Sequence, residues 1–536
     1  MPTAPLTFTV TTDLHYYSKT NGYDTKSYNQ ANAKSQLLMK DSAEVLVSLF
    51  AQIAKDDTND IVLIGGDTTS NGEFASHEEF INLCRALKAA GKRVYTITAT
   101  HDYQDDGQCY DYNGEERVKV DCVRREQLYD LYREFGMDEA IAVHEDSMSY
   151  VVQLADGYRL FALNDDRNHK GASGFSDDLF RWIALQIKDA RENGQIIIPM
   201  THHPLISPSD FYSIIGKNDM MGEHELRREQ LADLGISFIF TGHSHIHDIS
   251  YIFSQRGNPL YAVSTTSPVG YPGYYRRVTV DPEADSINIE TLKVDQDNKL
   301  DFNGVSLSQH LENQFFGMIR NVIDAAATDI DDLAEKAMAF SVKKPLIYKI
   351  GWIVKPVMKL LKKLSIGTVA KWTKKETGLS PEDWADIKDE KVLDFAINLP
   401  MNLYKGDGEY TPDTNYYKIT MGLLAIIDSF LEAINMPISK FLKGTKSVRA
   451  MVEPLLYKKG IPSFATELPL HPTQQELEEK FSFDNHNEIK SNKGKGILIS
   501  LILALLVLIP FLPVILVVLV IGYVVNFIRY REKMNE

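Results

Sequence analysis

The chain has 536 residues, 44% of them hydrophobic, and a formal net charge of −16. That length leaves room for more than one domain and a sizeable core, while the acidic balance argues against binding to nucleic-acid polymers, which needs a basic face. The three cysteines, Cys84, Cys109 and Cys122, lack metal-ligand spacing and are too few for a disulfide framework, so reduced thiols and a cytoplasmic catalytic domain are expected.

Residues 1–5 have neither a basic n-region nor an apolar h-region, so no secretory signal is expected. A strand over 6–10 runs into Asp13-Leu14-His15. A polar loop over 16–30 follows, then a helix over 33–54, with Leu37, Leu38, Val45 and Leu49 at helical spacing. It returns the chain to a second strand, 60–64, which ends in Gly65-Gly66-Asp67. Cys84 falls in a helical segment, 78–90, as a core residue. A third strand, 93–98, ends in Thr100-His101-Asp102. Tyr16, Tyr17, Tyr23 and Tyr28 in the first loop, and Tyr103, Tyr110 and Tyr112 after the third strand, are placed to rim a pocket, although packing within the loops is the simpler account of any one of them.

Further on, 123–135 is helical, and 149–154 with 158–163 forms a hairpin that ends in the polar cluster 164–169. Within that cluster Asp165 and His169 join Tyr103 as candidate substrate contacts, against the simpler reading of a solvated loop. An amphipathic helix over 180–191 leads to the strand 195–200, which delivers Thr201-His202-His203-Pro204. The run 236–240 stops at Gly242-His243-Ser244-His245. A short strand, 260–263, and a hairpin of 276–280 with 286–294 complete the region. Alternating α and β followed by antiparallel strands predicts an α/β fold, a two-sheet sandwich with flanking helices. Five apolar runs each present Asp or His at their carboxyl end, the edge where open α/β sheets bind ligands. Imidazole and carboxylate without thiolate suit Mn, Fe or Zn.

In order and spacing these blocks resemble the calcineurin-like metallophosphoesterase superfamily, whose pattern is Asp-x-His, Gly-Asp, Gly-Asn-His-Asp/Glu, a His-x-Pro segment and Gly-His-x-His. The resemblance covers residues 1–300. It implies that Asp13, His15, Asp67 and His245 hold one metal and Asp67, His202 and His243 a second, with Asp67 bridging. His101, oriented by Asp102, is implied to contact the phosphate and assist the leaving group. Two such cations polarise a phosphoryl oxygen and supply hydroxide near neutral pH, so hydrolysis of a phosphomonoester or phosphodiester, nucleotide-like or lipid-linked, is the expected activity. One block departs from the pattern. Thr100 stands where the family has Asn, replacing an amide oxygen with a shorter, poorer ligand, and a weaker second metal is expected. That departure also motivates the rival reading, a non-catalytic membrane-bound metal-binding scaffold or sensor.

Beyond about residue 305 helical periodicity dominates, as in 310–327 and 417–434, and no comparable strand is expected; 301–489 is assigned as a mostly α domain. Its segment 343–375 carries ten lysines and no acid, interleaved with apolar residues such as Trp352 and Leu361. A helix on anionic lipid headgroups is one reading, a lysine-edged core helix the other. From Gly496 to Phe527 no charge occurs, a longer run than the ~20 residues that cross a bilayer. A transmembrane segment at 496–528 is therefore expected, as one span or, given Pro510 and Pro513, a hairpin. Basic residues flank both ends, so charge does not choose an orientation.

Overall fold

The computed structural model describes residues 4–481, apart from 168, 170, 171, 210, 216–218, 338–346, 349–354, 357, 360, 434, 436 and 441–445. In chain order its strands are β1 (Leu6–Thr11), β2 (Ile61–Gly65), β3 (Arg93–Ile97), β4 (Gln108–Asp111), β5 (Val118–Asp121), β6 (Ala142–His144), β7 (Ser149–Ala155), β8 (Tyr158–Ala162), β9 (Ile196–Met200), β10 (Phe238–Thr241), β11 (Asp248–Phe253), β12 (Pro259–Ser264), β13 (Tyr274–Asp281), β14 (Ser286–Lys293) and β15 (Thr466–Pro469). One sheet has the order β15-β14-β13-β1-β2-β3 and the other β11-β12-β10-β9-β8-β7-β6, while β4 and β5 form a separate ribbon.

The inner faces of the two sheets meet in a core that includes Phe8, Val10, Leu63 and Tyr95 from the first and Tyr150, Leu160, Met200 and Phe240 from the second. Phe8 and Phe240 meet edge to face, ring centroids 5.6 Å apart. Period-two alternation sends the intervening residues outward: Val62, Ile64 and Val94 pack under the helices Ser42–Lys55 and Phe74–Ala89. Phe161 and Ile239 do the same against Asp177–Glu192. Because β1, β2 and β3 are parallel, as are β8, β9, β10 and β12, all five chemical blocks emerge at one edge of the sandwich.

Several expectations need correction. The helix expected over 33–54 begins only at Ser42, because residues 26–32 of the supposed loop form their own helix, capped by the Thr25 side chain. Of the two readings of the loop tyrosines, packing holds for Tyr17, Tyr28 and Tyr112, which build a small buried aromatic cluster with ring centroids 6.1 to 6.5 Å apart. β15 lies far beyond residue 305, yet it pairs with β14, Ile287 opposite Leu468, and so completes the first sheet.

The helical region has its own core, in which Leu399, Leu424, Val452 and Leu456 pack together with Ile246 and Tyr212 of the sandwich. Among the described residues of the lysine-rich segment, Ile347, Met358, Leu361, Ile366, Val369 and Ala370 are buried in helical cores, Leu364 and Trp372 are half-buried against them and Tyr348 is exposed, a balance that favours the lysine-edged helix over one lying apolar side down on lipid. No helix among the described residues is long and apolar enough to cross a membrane. The expected span at 496–528 lies outside the described residues.

Candidate metal centre

Backbone hydrogen bonds fasten the first two blocks side by side. Asp13 N–H donates to the Gly66 carbonyl at 3.0 Å, His15 N–H to Asp67 at 2.9 Å, and Tyr16 N–H to Thr68 at 2.9 Å. This ladder continues the β1–β2 pairing past the sheet and turns both carboxylates inward. The fifth block docks onto the first: His243 N–H lies 3.0 Å from both oxygens of Asp13. Asp13, His15, Asp67, His243 and His245 all adopt positive φ, between 43° and 64°. Left-handed backbone costs a non-glycine residue about 1–3 kcal/mol, so five such residues in one place mark a site whose shape is held by its surroundings. Gly66 and Gly242 allow the close approach. A Cβ on Gly66 would lie 2.9 Å from the Cβ of Ala99, and one on Gly242 would lie 2.3 Å from both Asp13 Oδ2 and Thr12 Oγ1.

Two triads result, Asp13 with His15 and His245, and Asp67 with His202 and His243. Within each, one ligand-type atom per residue lies within 4.8 Å of the others. Asp67 stands between them: its Oδ2 is 3.0 Å from His202 Nε2 and 4.0 Å from His15 Nε2. His15 Nε2 and His245 Nε2 approach to 3.1 Å. His202 donates its Nδ1–H to the Gly65 carbonyl at 2.9 Å, which leaves the buried Nε2, directed at Asp67, as the ligand atom. Clustered lone pairs of this kind suit hard or borderline cations, so the donor set fits two of them.

Three of the ligand groups are electrostatically suited to holding cations, while at His202 burial is outweighed by Asp67 and Asp13, which hold the imidazole above its usual range. Burial pushes the Asp13 carboxyl up, but His245 and His202 outweigh it and hold it below the usual range. Asp67 is depressed further, burial being overcome by His202 and His101. Burial and the neighbouring His101 push His15 down to about 3, so its imidazole is neutral and able to ligate.

The remaining expected site residues divide. His101 donates Nδ1–H to the Ser70 carbonyl at 2.6 Å, and its ring packs edge-on against His15 with centroids 4.9 Å apart. Asp102 does not orient that ring. Its buried carboxylate accepts from the backbone of Thr68 at 2.8 Å, Thr69 at 2.9 Å and Ala99 at 2.8 Å, clamping the loops on either side. Thr100 is buried next to His101, whose N–H reaches Asp67 Oδ1 at 2.8 Å. Tyr103 is fully buried in the core under the helices rather than at a pocket rim. His169 is exposed and pairs with Asp105 at 2.9 Å. Asp165 is buried, and its carboxylate is taken by His203 at 2.8 Å and Thr201 at 2.8 Å, so it faces another side chain instead of a substrate. Gln36, whose amide lies 2.7 Å from His245 Nδ1, had no signal in the sequence, whereas the doublet His202-His203 was a visible one.

No curated protein matches the chain. Among solved structures it is similar to a dimetal phosphatase from Danio rerio, at 13% identity and a TM-score of 0.37, covering 53% of this chain and 95% of that one. A purple acid phosphatase from yellow lupin seeds shows 14% identity, a TM-score of 0.37 and coverage of 55% and 52%. The NAD nucleotidase of Haemophilus influenzae shows 13%, 0.27, and 68% and 62%. Residues 6–247, the segment that holds both triads, match the family model described as calcineurin-like phosphoesterase, which supports a phosphoester hydrolase.

Proposed function

We propose that the chain hydrolyses a phosphomonoester or phosphodiester, nucleotide-like or lipid-linked, at a membrane surface, with its catalytic segment on the cytoplasmic face. The observation that carries the hydrolytic part is the pair of triads set side by side around Asp67. Asp13, His15, Asp67 and His245 would hold one cation and Asp67, His202 and His243 the other, as Mn, Fe or Zn. When bound, such a pair polarises a phosphoryl oxygen and lowers the pKa of water. Asp67 separates the two sites and balances their charge. His101, its Nδ1 committed to Ser70, keeps Nε2 for the substrate, where it gives a proton to the leaving oxygen. Asp102 holds in register the loops that carry Asp67 and His101.

Support for the membrane lies in the charge-free run 496–527 and in the ten lysines of 343–375, a basic stretch of the kind that anionic headgroups attract. The three free thiols fit a reducing compartment. Thr100 in place of an amide ligand favours one rival, a membrane-bound metal-binding scaffold or sensor without turnover. Purified protein with manganese and a chromogenic bis-aryl phosphodiester separates them: hydrolysis abolished by Asp67→Ala and His101→Ala supports the enzyme, and absence of turnover on nucleotides, cyclic dinucleotides and phospholipids supports the scaffold. Flotation with phosphatidylserine vesicles, for the full chain and for one ending at residue 481, tests attachment.

A further inference from the structure

His203 is not needed by either triad, yet it is as firmly built into the site as any ligand. Its Nδ1–H donates to Asp165 Oδ1 at 2.8 Å, and its backbone N–H donates to Asp165 Oδ2 at 2.8 Å. The same Oδ2 accepts from Thr201 Oγ1 at 2.8 Å. Asp165 is itself fastened, its carbonyl accepting from Gly174 N–H at 2.7 Å. Both groups are buried, His203 at 5% and Asp165 at 1% exposure. Placing a carboxylate out of water behind an imidazole is expensive unless the pair has a task or full hydrogen bonding, and here three donors on the carboxylate fix one ring orientation. Nε2 is left as the ring's one uncommitted polar atom among the described residues.

The ring lies against the second triad. Its centroid is 4.2 Å from that of His243 and 5.1 Å from that of His202. His101 has the matching relation to the first triad, 4.9 Å from His15, with its Nδ1 likewise committed. The centre thus has two imidazoles outside the ligand set, one per triad, each locked at Nδ1. His203 stands outside the triad of Asp67, His202 and His243, so its Nε2 is not one of the converging ligand atoms.

Resting on the phosphoesterase reading above, we propose that His203 is a second substrate-contacting imidazole, whose Nε2 meets the phosphoryl group at the second triad, and that Asp165 is the residue that positions it. A carboxylate behind Nδ1 fixes the ring's orientation, so that Nε2 is presented to the phosphoryl group in one geometry. This contact supplies phosphate recognition where Thr100 offers no amide.

The test is His203→Asn, whose side-chain amide keeps a donor at the position of Nδ1 while deleting Nε2. In the full chain loaded with manganese, the expected result is a fall in kcat of about 100-fold, a fall in affinity for inorganic phosphate of about tenfold by calorimetry, and bound manganese equal to that of the parent. Asp165→Asn should give a smaller loss, and the double variant should be no worse than His203→Asn alone, as expected of residues acting through one group. Turnover and phosphate affinity within threefold of the parent, bound manganese below the parent's, or additive losses would each overturn the proposal. If His203→Asn does not fold, His203→Gln replaces it, and failure of both to fold also overturns it. A parent that binds phosphate but hydrolyses no phosphoester would refute the hydrolase reading, while His203 would still be judged on the phosphate affinity.

Discussion

His247, two residues past the last ligand, donates its backbone N–H to the carbonyl of Tyr404 at 3.0 Å. Between them Ile246, 1% exposed, is inserted into the core of the helical region. The loop that carries His243 and His245 is thus gripped from two sides, by Asp13 of the sandwich and by the helix Val392–Lys405. Ile246→Ala should cost about 2–4 kcal/mol of stability, as large-to-small core changes do, and weaken metal binding as well. Thermal melts with and without manganese check both: equal metal-induced stabilisation in the variant and the parent would show that the helical grip does not reach the ligands.

Gly242→Ala addresses the opposite side of the same loop. The added methyl would fall 2.3 Å from Asp13 Oδ2 and from Thr12 Oγ1, so Asp13 must move. The first triad should lose its cation while the second keeps one. Metal content halved relative to the parent, with activity down about 100-fold or more, is the expected outcome.

Arg276 is completely buried on β13 and spans the junction of sandwich and helical region. It donates to the carbonyls of Ser463 at 2.9 Å, Ser264 at 2.8 Å and Asp248 at 3.2 Å, and to Thr265 Oγ1 at 3.2 Å. Burial lowers its guanidinium to about 9. Arg276→Met should destabilise the chain by about 3–5 kcal/mol because several buried oxygens lose their donors. Urea denaturation measures it, with a change below 1 kcal/mol as the contrary result.

His77 gives the pH dependence. Its Nε2–H donates to the Asp102 carbonyl at 2.8 Å, so Nδ1 must accept the Tyr132 hydroxyl proton at 2.7 Å, and burial pushes the imidazole from 6.5 down to about 4. Between those values the unfolded chain binds a proton that the folded chain does not. Stability present above pH 6.5 is therefore lost as the pH falls towards 4, by up to about 3 kcal/mol. Melts of metal-free protein across that window should show a steeper pH slope for the parent than for His77→Gln. Equal slopes would exclude His77 as the source.

Much of the sandwich was legible because its central strands are short apolar runs bounded by glycine or acid, and because each carried its Asp or His at the same end. Ile196–Met200 and Phe238–Thr241 are of this kind. What escaped notice lacked that signature. Val118–Asp121 is largely exposed and polar, and Thr466–Pro469 is a four-residue strand recruited by its neighbour. In the site, the ligand types could be read from the blocks, but hydrogen-bond direction could not. Asp102 and Asp165 looked like chemistry and proved to be committed to backbone amides and to His203.

The pairing of β14 with β15 makes the long helical region an insertion within a sheet rather than an appendage behind it. Until residues 466–469 have been synthesised and threaded back, Ile287 and Ile289 border an open edge that could recruit a foreign strand. A fragment cut near residue 300 would carry every ligand and still expose that seam, so the piece that looks like a free-standing enzyme should be the piece that aggregates.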